Sequence, residues 1–376
     1  MADNIFSTIT ALAAQHDAIN LGQGFPDFSG PERMLSIASQ EILNGNNQYA
    51  PLRGLPTFLT AVSEQRERNY GLSFDPETEI VATVGATEGI AATVLSQVGP
   101  NDEVICFEPY YDAYAAAIDL AGGRRVSVPL IHDDSGWQID TDAFRRAISP
   151  STRLVIINNP HNPTGAVLDL TEFSGVCREH DLTVLSDEAY EYLVYDGRRH
   201  VPTAAYPGMP ERTVTVGSAA KTFAVTGWKT GWALGPTRLI AEVTAAKQYL
   251  TFVGFTPAQP AIAYALREEM GWVSSMVSSL QEQRDLLASS LREAGLKVLD
   301  SQGTFFLLAD VTTHLSPSQT GADWCRALIE KYGVAAIPVE VFADHPEKWS
   351  HLVRFTYCKG QETMAEARRR LSRVGE

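Results

Sequence analysis

The chain of 376 residues is 44% hydrophobic and 20% charged, enough to bury a large core in one elaborate α/β domain or two unequal ones, and incompatible with disorder or a disulfide miniprotein. Thirty Lys+Arg against forty-five Asp+Glu leave a formal net charge of -15, which opposes a whole-molecule affinity for nucleic acid or an acidic membrane and leaves small metabolites as expected partners. No uncharged apolar stretch approaches the ~18 residues of a spanning helix, and Met1-Ala2-Asp3-Asn4 lacks the basic region of a signal peptide, so the expected compartment is the cytoplasm.

In chain order, Ile5, Ile9 and Leu12 share one helical face, and Pro31 opens a second helix that Gly45 closes. From about residue 79 to 235, β-branched runs alternate with helical patterns such as Ala86 to Val98. The runs are Ile80 to Val84, Val104 to Phe107, Val126 to Val128, Leu154 to Ile157, Thr183 to Leu185 and Thr213 to Val216. This alternation predicts βαβ units and a mostly parallel sheet covered on both faces. Past residue 236, Leu239 to Leu250 and Pro260 to Ala294 carry helical spacing with almost no strand signal, which predicts one long helix linking two lobes. A strand at Thr304 to Ala309, a helix at Thr320 to Lys331, a strand at Leu352 to Tyr357 and a helix at Glu362 to Val374 complete an α+β lobe. Cys106, Cys177, Cys325 and Cys358 lie far apart without Cys-x-x-Cys spacing and are expected as buried free thiols.

Four segments place polar residues where a strand of the expected sheet ends, the position at which doubly wound sheets bind ligands. Val84-Gly85-Ala86-Thr87-Glu88-Gly89 runs from a strand through a small-residue turn into a helix N-terminus. Its free amides suit a phosphate, or the turn simply caps a helix; the dinucleotide glycine fingerprint is absent. Asn158 to Gly165 follows a strand, and its two prolines restrict the loop so that the Asn162 amide is presented. His161 in that loop has no second His or Cys at ligand spacing. Asp187 ends an apolar strand, as a helix cap or as a functional carboxylate, and Tyr190 follows one helical turn on. Lys221 stands among small and apolar neighbours, a setting that lowers an amine's pKa by desolvation; an isolated surface lysine is the alternative. Together, an amine able to form a Schiff base, a carboxylate for a pyridinium nitrogen, a tyrosine and an asparagine for a phenolic oxygen, and a phosphate cradle are what pyridoxal 5'-phosphate requires.

Asn159 to Gly165, Ser186-Asp187-Glu188-Ala189-Tyr190 and Ser218 to Phe223 with Thr226-Gly227-Trp228-Lys229 resemble the class I aminotransferases of the fold type I pyridoxal-phosphate enzymes. Asn20 to Phe28, Asn47-Gln48-Tyr49, Glu108-Pro109-Tyr110-Tyr111 and Val353-Arg354-Phe355 extend the resemblance over nearly the whole chain. The branch resembled holds kynurenine, glutamine and methionine aminotransferases, cysteine-S-conjugate β-lyases and actinobacterial N-succinyldiaminopimelate aminotransferases. The resemblance implies a large domain over residues 33–273 around a mostly parallel seven-stranded sheet. It also implies a smaller α+β domain over 274–376, to which part of the segment 1–32 belongs.

By the same resemblance, Lys221 is the Schiff-base lysine and proton shuttle, Asp187 pairs with the pyridine nitrogen, Tyr190 and Asn162 bind the 3-oxygen, and Tyr111 stacks on the ring. Ser218, Lys229 and the amides of Ala86 and Thr87 hold the phosphate, with Asn158 supporting the cofactor side. Lys229 stands where many relatives carry Arg, exchanging a bidentate grip for a point charge. Arg354 is the implied partner of the substrate α-carboxylate, Gly24 a pocket wall without a side chain, and Phe6 and Phe252 aromatic pocket positions. Tyr49 is implied to reach the cofactor phosphate of a neighbouring subunit in a twofold dimer. The implied reaction moves an amino group between an L-amino acid (N-succinyl-LL-diaminopimelate, methionine, glutamine or kynurenine) and a 2-oxo acid such as 2-oxoglutarate. A pyridoxal-phosphate carbon-sulfur β-lyase uses the same residues and stays open as the alternative. A non-catalytic regulator would need an added DNA-binding region, for which the chain has neither spare length nor a basic segment.

Overall fold

Strand length and burial follow the apolar runs. In a computed structural model, which describes residues 5–375, eight strands form the main sheet, in the order Ile80–Thr83, Gly231–Leu234, Thr213–Ser218, Thr183–Asp187, Thr152–Asn158, Glu103–Glu108, Arg124–Asp133 and Gly136–Ile139. The segment Met1-Ala2-Asp3-Asn4, read above for a leader signal, lies outside the described residues. The five strands from Thr213–Ser218 to Arg124–Asp133 are parallel to one another. Along Thr152–Asn158, Leu154 and Ile156 enter one core while Val155 and Ile157 enter another, the two-residue period of a strand buried on both faces. One face is covered by the helices Gly85–Gln97, Ala113–Ala121 and Thr237–Lys247. The opposite side carries Glu32–Leu43, Pro56–Tyr70 and Ala258–Glu268, with Thr141–Ala147 and Thr171–Glu179 further along.

Two strands go beyond the six apolar runs read from the sequence. Gly136–Ile139 folds back antiparallel on Arg124–Asp133, extending seven strands to eight. Gly231–Leu234 inserts antiparallel between Ile80–Thr83 and Thr213–Ser218. The pairing depends on small residues: a Cβ at Gly217 would lie 2.3 Å from Trp232 of the inserted strand. The expected helix over Pro260 to Ala294 is two, Ala258–Glu268 and Met270–Glu293, interrupted at Glu269 where the backbone leaves helical geometry. The second of these serves two cores, with Val273 packed among the helices of the large sheet and Met276, Leu280, Leu287 and Leu291 in the C-terminal core.

A four-stranded antiparallel sheet, in the order Lys297–Val298, Phe306–Asp310, Leu352–Thr356, Ile337–Pro338, builds the C-terminal part. The N-terminal segment joins it: Ile19–Asn20 pairs with Val334–Ala335, and Ile9 and Ala13 of the helix Ile5–Gln15 pack against Ile329, Ile337 and Phe342. All four cysteines are buried and free. Among the described residues no helix is long and apolar enough to cross a membrane, and no cluster of His, Cys, Asp and Glu could hold a metal ion.

Candidate active site

The C-terminal ends of Ile80–Thr83, Glu103–Glu108, Thr152–Asn158, Thr183–Asp187 and Thr213–Ser218 open on one rim. The inserted strand Gly231–Leu234 runs the other way, so its start, just after Lys229, reaches the same rim. A cleft forms there, and its far wall comes from Phe6, Gly24, Phe306 and Arg354.

At one end, Gly85 adopts a left-handed φ of 68° and starts a helix whose first amides have no helical partner. Ala86 and Thr87 line the cleft there beside Ser218, Thr226 and Lys229. Glycines keep this end open: a Cβ at Gly85 would sit 3.4 Å from the Lys229 Nζ, and one at Gly231 would sit 3.2 Å from the Ala86 nitrogen. The arrangement suits a dianionic group.

At the other end lies Asp187, almost wholly buried. Its Oδ2 accepts a 2.7 Å hydrogen bond from the Tyr114 hydroxyl and its Oδ1 accepts from the Ala189 amide at 3.1 Å. Burial raises its pKa, and these two hydrogen bonds act against that rise. Tyr114 was not singled out from the sequence, although it lies one helical turn beyond Tyr111 and carries a hydroxyl. The two rings meet edge to face at 5.7 Å, which sets Tyr111 at the wall of the cleft. Asn158 donates to the Asp187 carbonyl at 2.9 Å and accepts from the Asn162 amide at 2.7 Å, so one side chain ties the proline-rich loop to the strand that carries Asp187.

Lys221, on the short helix Ala219–Thr222, points its Nζ between these ends, 3.5 Å from the Gly24 carbonyl and 5.9 Å from the centre of the buried Tyr190 ring. Burial, reinforced by the charges of Lys229 and Arg354, lowers its pKa to about 8. Arg354, in the strand Leu352–Thr356, donates to the Asn162 Oδ1 and to the Gly22 carbonyl, both at 2.9 Å. Its guanidinium lies 4.0 Å from the centre of the Phe306 ring, 4.8 Å from Phe342 and 5.7 Å from Phe6. Burial lowers its pKa to about 10, so it stays cationic at neutral pH, and its buried Nε has no partner among the described residues. A carboxylate is the group that such a desolvated cation still lacks.

Phe252 and Tyr49 are placed elsewhere. Their rings meet edge to face at 5.4 Å outside the cleft, both exposed, so the position expected of Phe252 in the pocket is not reached within one chain. Lys247 ties that turn to the 49–52 loop, its ammonium donating to the carbonyls of Leu52 and Phe252. Thr226 joins the site from the segment already singled out around Lys229, whereas Phe306 and Phe342 join it without a signal in their own segments.

The donors fit pyridoxal 5'-phosphate: amides and a lysine for the phosphate, a tyrosine for the ring face, a buried carboxylate for the ring nitrogen, and an amine of lowered pKa for the aldehyde. Residues 16–371 match the family of class I and II aminotransferases. The whole chain is 50% identical to the probable N-succinyldiaminopimelate aminotransferase of Mycobacterium tuberculosis, covering 97% of it, and 38% identical to the methionine aminotransferase of Escherichia coli, covering 96%. The solved structure of the N-succinyldiaminopimelate aminotransferase of Mycobacterium tuberculosis aligns with a TM-score of 0.96 at 50% identity, over 99% of this chain and 97% of that one. A likeness that runs almost end to end at such identity is one of family and not of fold alone, and the chain belongs to the class I and II aminotransferases, enzymes of fold type I that depend on pyridoxal phosphate.

Proposed function

We propose that this aminotransferase moves an α-amino group between N-succinyl-LL-diaminopimelate and 2-oxoglutarate in two half-reactions that use the same cleft in turn. Support for the substrate comes from the relative at 50% identity, against 38% for the methionine enzyme. Support for transamination comes from the family and the named relatives, and support for α-amino acid chemistry in this cleft comes from one observation above all: the Lys221 amine of lowered pKa faces the same cleft as a buried arginine whose Nε lacks a partner.

When bound, the cofactor supplies an electron sink for the charge left at the substrate Cα. Arg354 grips the α-carboxylate and so fixes where Cα lies. Phe6, Phe306 and Phe342 keep water from the guanidinium, which strengthens that grip. Lys221, neutral in an appreciable fraction near neutral pH, takes the Cα proton and returns it to the cofactor side. Asp187 would stay ionised against the ring nitrogen with help from Tyr114, and Tyr190 and the Asn162 side chain would face the ring oxygen. Ser218, Lys229 and the amides of Ala86 and Thr87 would hold the phosphate, Tyr111 would cover the ring face, and Gly24 would form the substrate wall.

An amino-donor screen with 2-oxoglutarate that includes N-succinyl-LL-diaminopimelate, methionine, glutamine and kynurenine tests the reading. The expected result is a kcat/KM for the succinylated donor at least about tenfold above the others, roughly 1.4 kcal/mol of selectivity. A preference for methionine would transfer the assignment to the second relative's activity. Pyruvate and ammonia released from cystathionine without any oxo acid would make it a β-lyase.

A twofold homodimer is part of the proposal, with Tyr49 reaching the partner's phosphate site. In its favour, Tyr49 is 80% and Tyr249 86% exposed, and Leu250, Phe252 and Phe255 lie exposed on the same turn, apolar surface that a second copy would bury. A small domain made of residues 274–376 with part of 1–32, set against 33–273, is proposed on the pairing of Ile19–Asn20 with Val334–Ala335. The proposed compartment is the cytoplasm, where thiols such as the four buried here stay reduced.

A further inference from the structure

From the end of the strand Thr183–Asp187 onward, the residues divide between two environments. Asp187 and Tyr190 line the cleft, whereas Glu188 and Glu191 turn away from it and are buried. Glu188 has a full set of partners. Its Oε2 meets the Arg66 Nη1 at 3.3 Å and the His200 Nε2 at 3.1 Å, and its Oε1 accepts from the Ser186 hydroxyl and the Thr203 amide, each at 3.0 Å. Glu191 accepts from the Arg66 Nη2 at 3.1 Å, from the Tyr70 hydroxyl at 2.7 Å and from the Gln65 amide at 3.2 Å. One guanidinium, 1% exposed, therefore holds both carboxylates. It stands on the helix Pro56–Tyr70, which contributes nothing to the cleft.

Burying two carboxylates and a guanidinium is costly, and apolar residues of the same volume commonly stabilise a core as well or better, so stability is a poor account of this cluster. What it supplies is direction. The two carboxylates follow Asp187 and Tyr190 by one residue each, so any rotation of the 187–191 segment strands a buried charge. The cluster also matters electrically, because the Glu188 charge raises the pKa of Asp187 and Arg66 offsets Glu188.

We propose that Arg66 is a positioning residue for the catalytic segment: by binding Glu188 and Glu191 behind the cleft, it sets how Asp187 and Tyr190 meet the cofactor ring. The inference rests on the assignment of Asp187 and Tyr190 to that ring. The test uses Arg66→Met, Arg66→Lys, the near-isosteric Glu191→Gln, and Asp187→Asn as a reference. Each is measured for thermal unfolding of the cofactor-free protein, pyridoxal 5'-phosphate affinity, the pH titration of the bound cofactor's absorbance, and the separate kcat and KM values.

Well below the unfolding transition, Arg66→Met and Glu191→Gln are expected to weaken cofactor affinity at least about fivefold, displace the absorbance titration and lower kcat. The amino-donor KM should stay within about twofold. Arg66→Lys, a single point charge for two carboxylates, should recover part of the loss. If Arg66→Met does not fold, Glu191→Gln carries the result. Lowered thermal stability with native cofactor affinity and a native absorbance titration in the Arg66 and Glu191 variants would overturn the proposal and leave a structural cluster. Native values in Asp187→Asn as well would overturn the ring assignment itself, and the proposal with it.

Discussion

Tyr114 decides how readily Asp187 keeps its charge, since burial alone pushes that carboxyl up. Tyr114→Phe removes one hydrogen bond to a charged group, worth about 1.5–3 kcal/mol. Cofactor affinity should fall roughly ten- to a hundredfold in a fluorescence titration; an unchanged Kd would show that Asp187 does not need the phenol. Lys221→Ala should still take up cofactor through its phosphate and ring contacts but lose at least about a thousandfold in kcat, because the proton carrier is gone. Repeated turnover at the native rate by this variant would remove Lys221 from the mechanism. The lowered pKa makes a further prediction. Only the neutral amine attacks a carbonyl, so the rate at which cofactor-free protein captures pyridoxal phosphate should rise with pH and level off above about 8. The linkage has a definite sign: folding disfavours the protonated form of Lys221, so its destabilising contribution is complete below about 8 and is relieved between 8 and the ordinary 10.5. A capture rate that is flat from about pH 7 to pH 9 would contradict the shift.

At the scale of elements, the cleft depends on how closely the N-terminal segment approaches the strand Phe306–Asp310. A Cβ at Gly24 would lie 2.3 Å from the Phe306 ring and 2.6 Å from Phe305, and Phe306 is the ring on which the Arg354 guanidinium lies. Gly24→Ala should therefore cost at least about tenfold in kcat/KM for every amino donor while leaving cofactor affinity within about twofold, because the phosphate and ring contacts are elsewhere. A loss confined to one donor would mean that Gly24 shapes the side-chain pocket and not the carboxylate grip. Elements with a clear period were legible in the sequence: each of the six apolar runs between Ile80 and Val216 is a strand of the sheet. Gly231–Leu234 was not, because four residues opening with glycine show no alternation and its place is set by what Gly217 leaves room for. The break at Glu269 was equally hidden, since no proline marks it and Gly271, the nearest glycine, lies inside the second helix.

For the whole molecule, the dimer reading predicts complementation between defective chains. If Tyr49→Ala and Lys221→Ala are each severely impaired, a mixed dimer collects both lesions in one site and leaves the other intact. Random reassociation makes half the dimers mixed, so about a quarter of native activity should return. No recovery, with mixed dimers shown to be present by mass, would place Tyr49 outside the partner's site.

The sequence by itself determined the parallel core of the sheet, the cofactor class and most of the residues that line the cleft. Ala86, Asn158, Asp187 and Ser218 each stand within a few residues of a strand end, and a strand end is readable from local period and composition. Only the tertiary structure decided that Tyr114 backs Asp187, that Phe306 and Phe342 enclose Arg354, that Phe252 sits with Tyr49 outside the cleft, and that Arg66 holds Glu188 and Glu191. These are contacts between segments far apart in the chain. They depend on how helices and sheets pack, and packing leaves no periodic trace in the segment that contributes the residue.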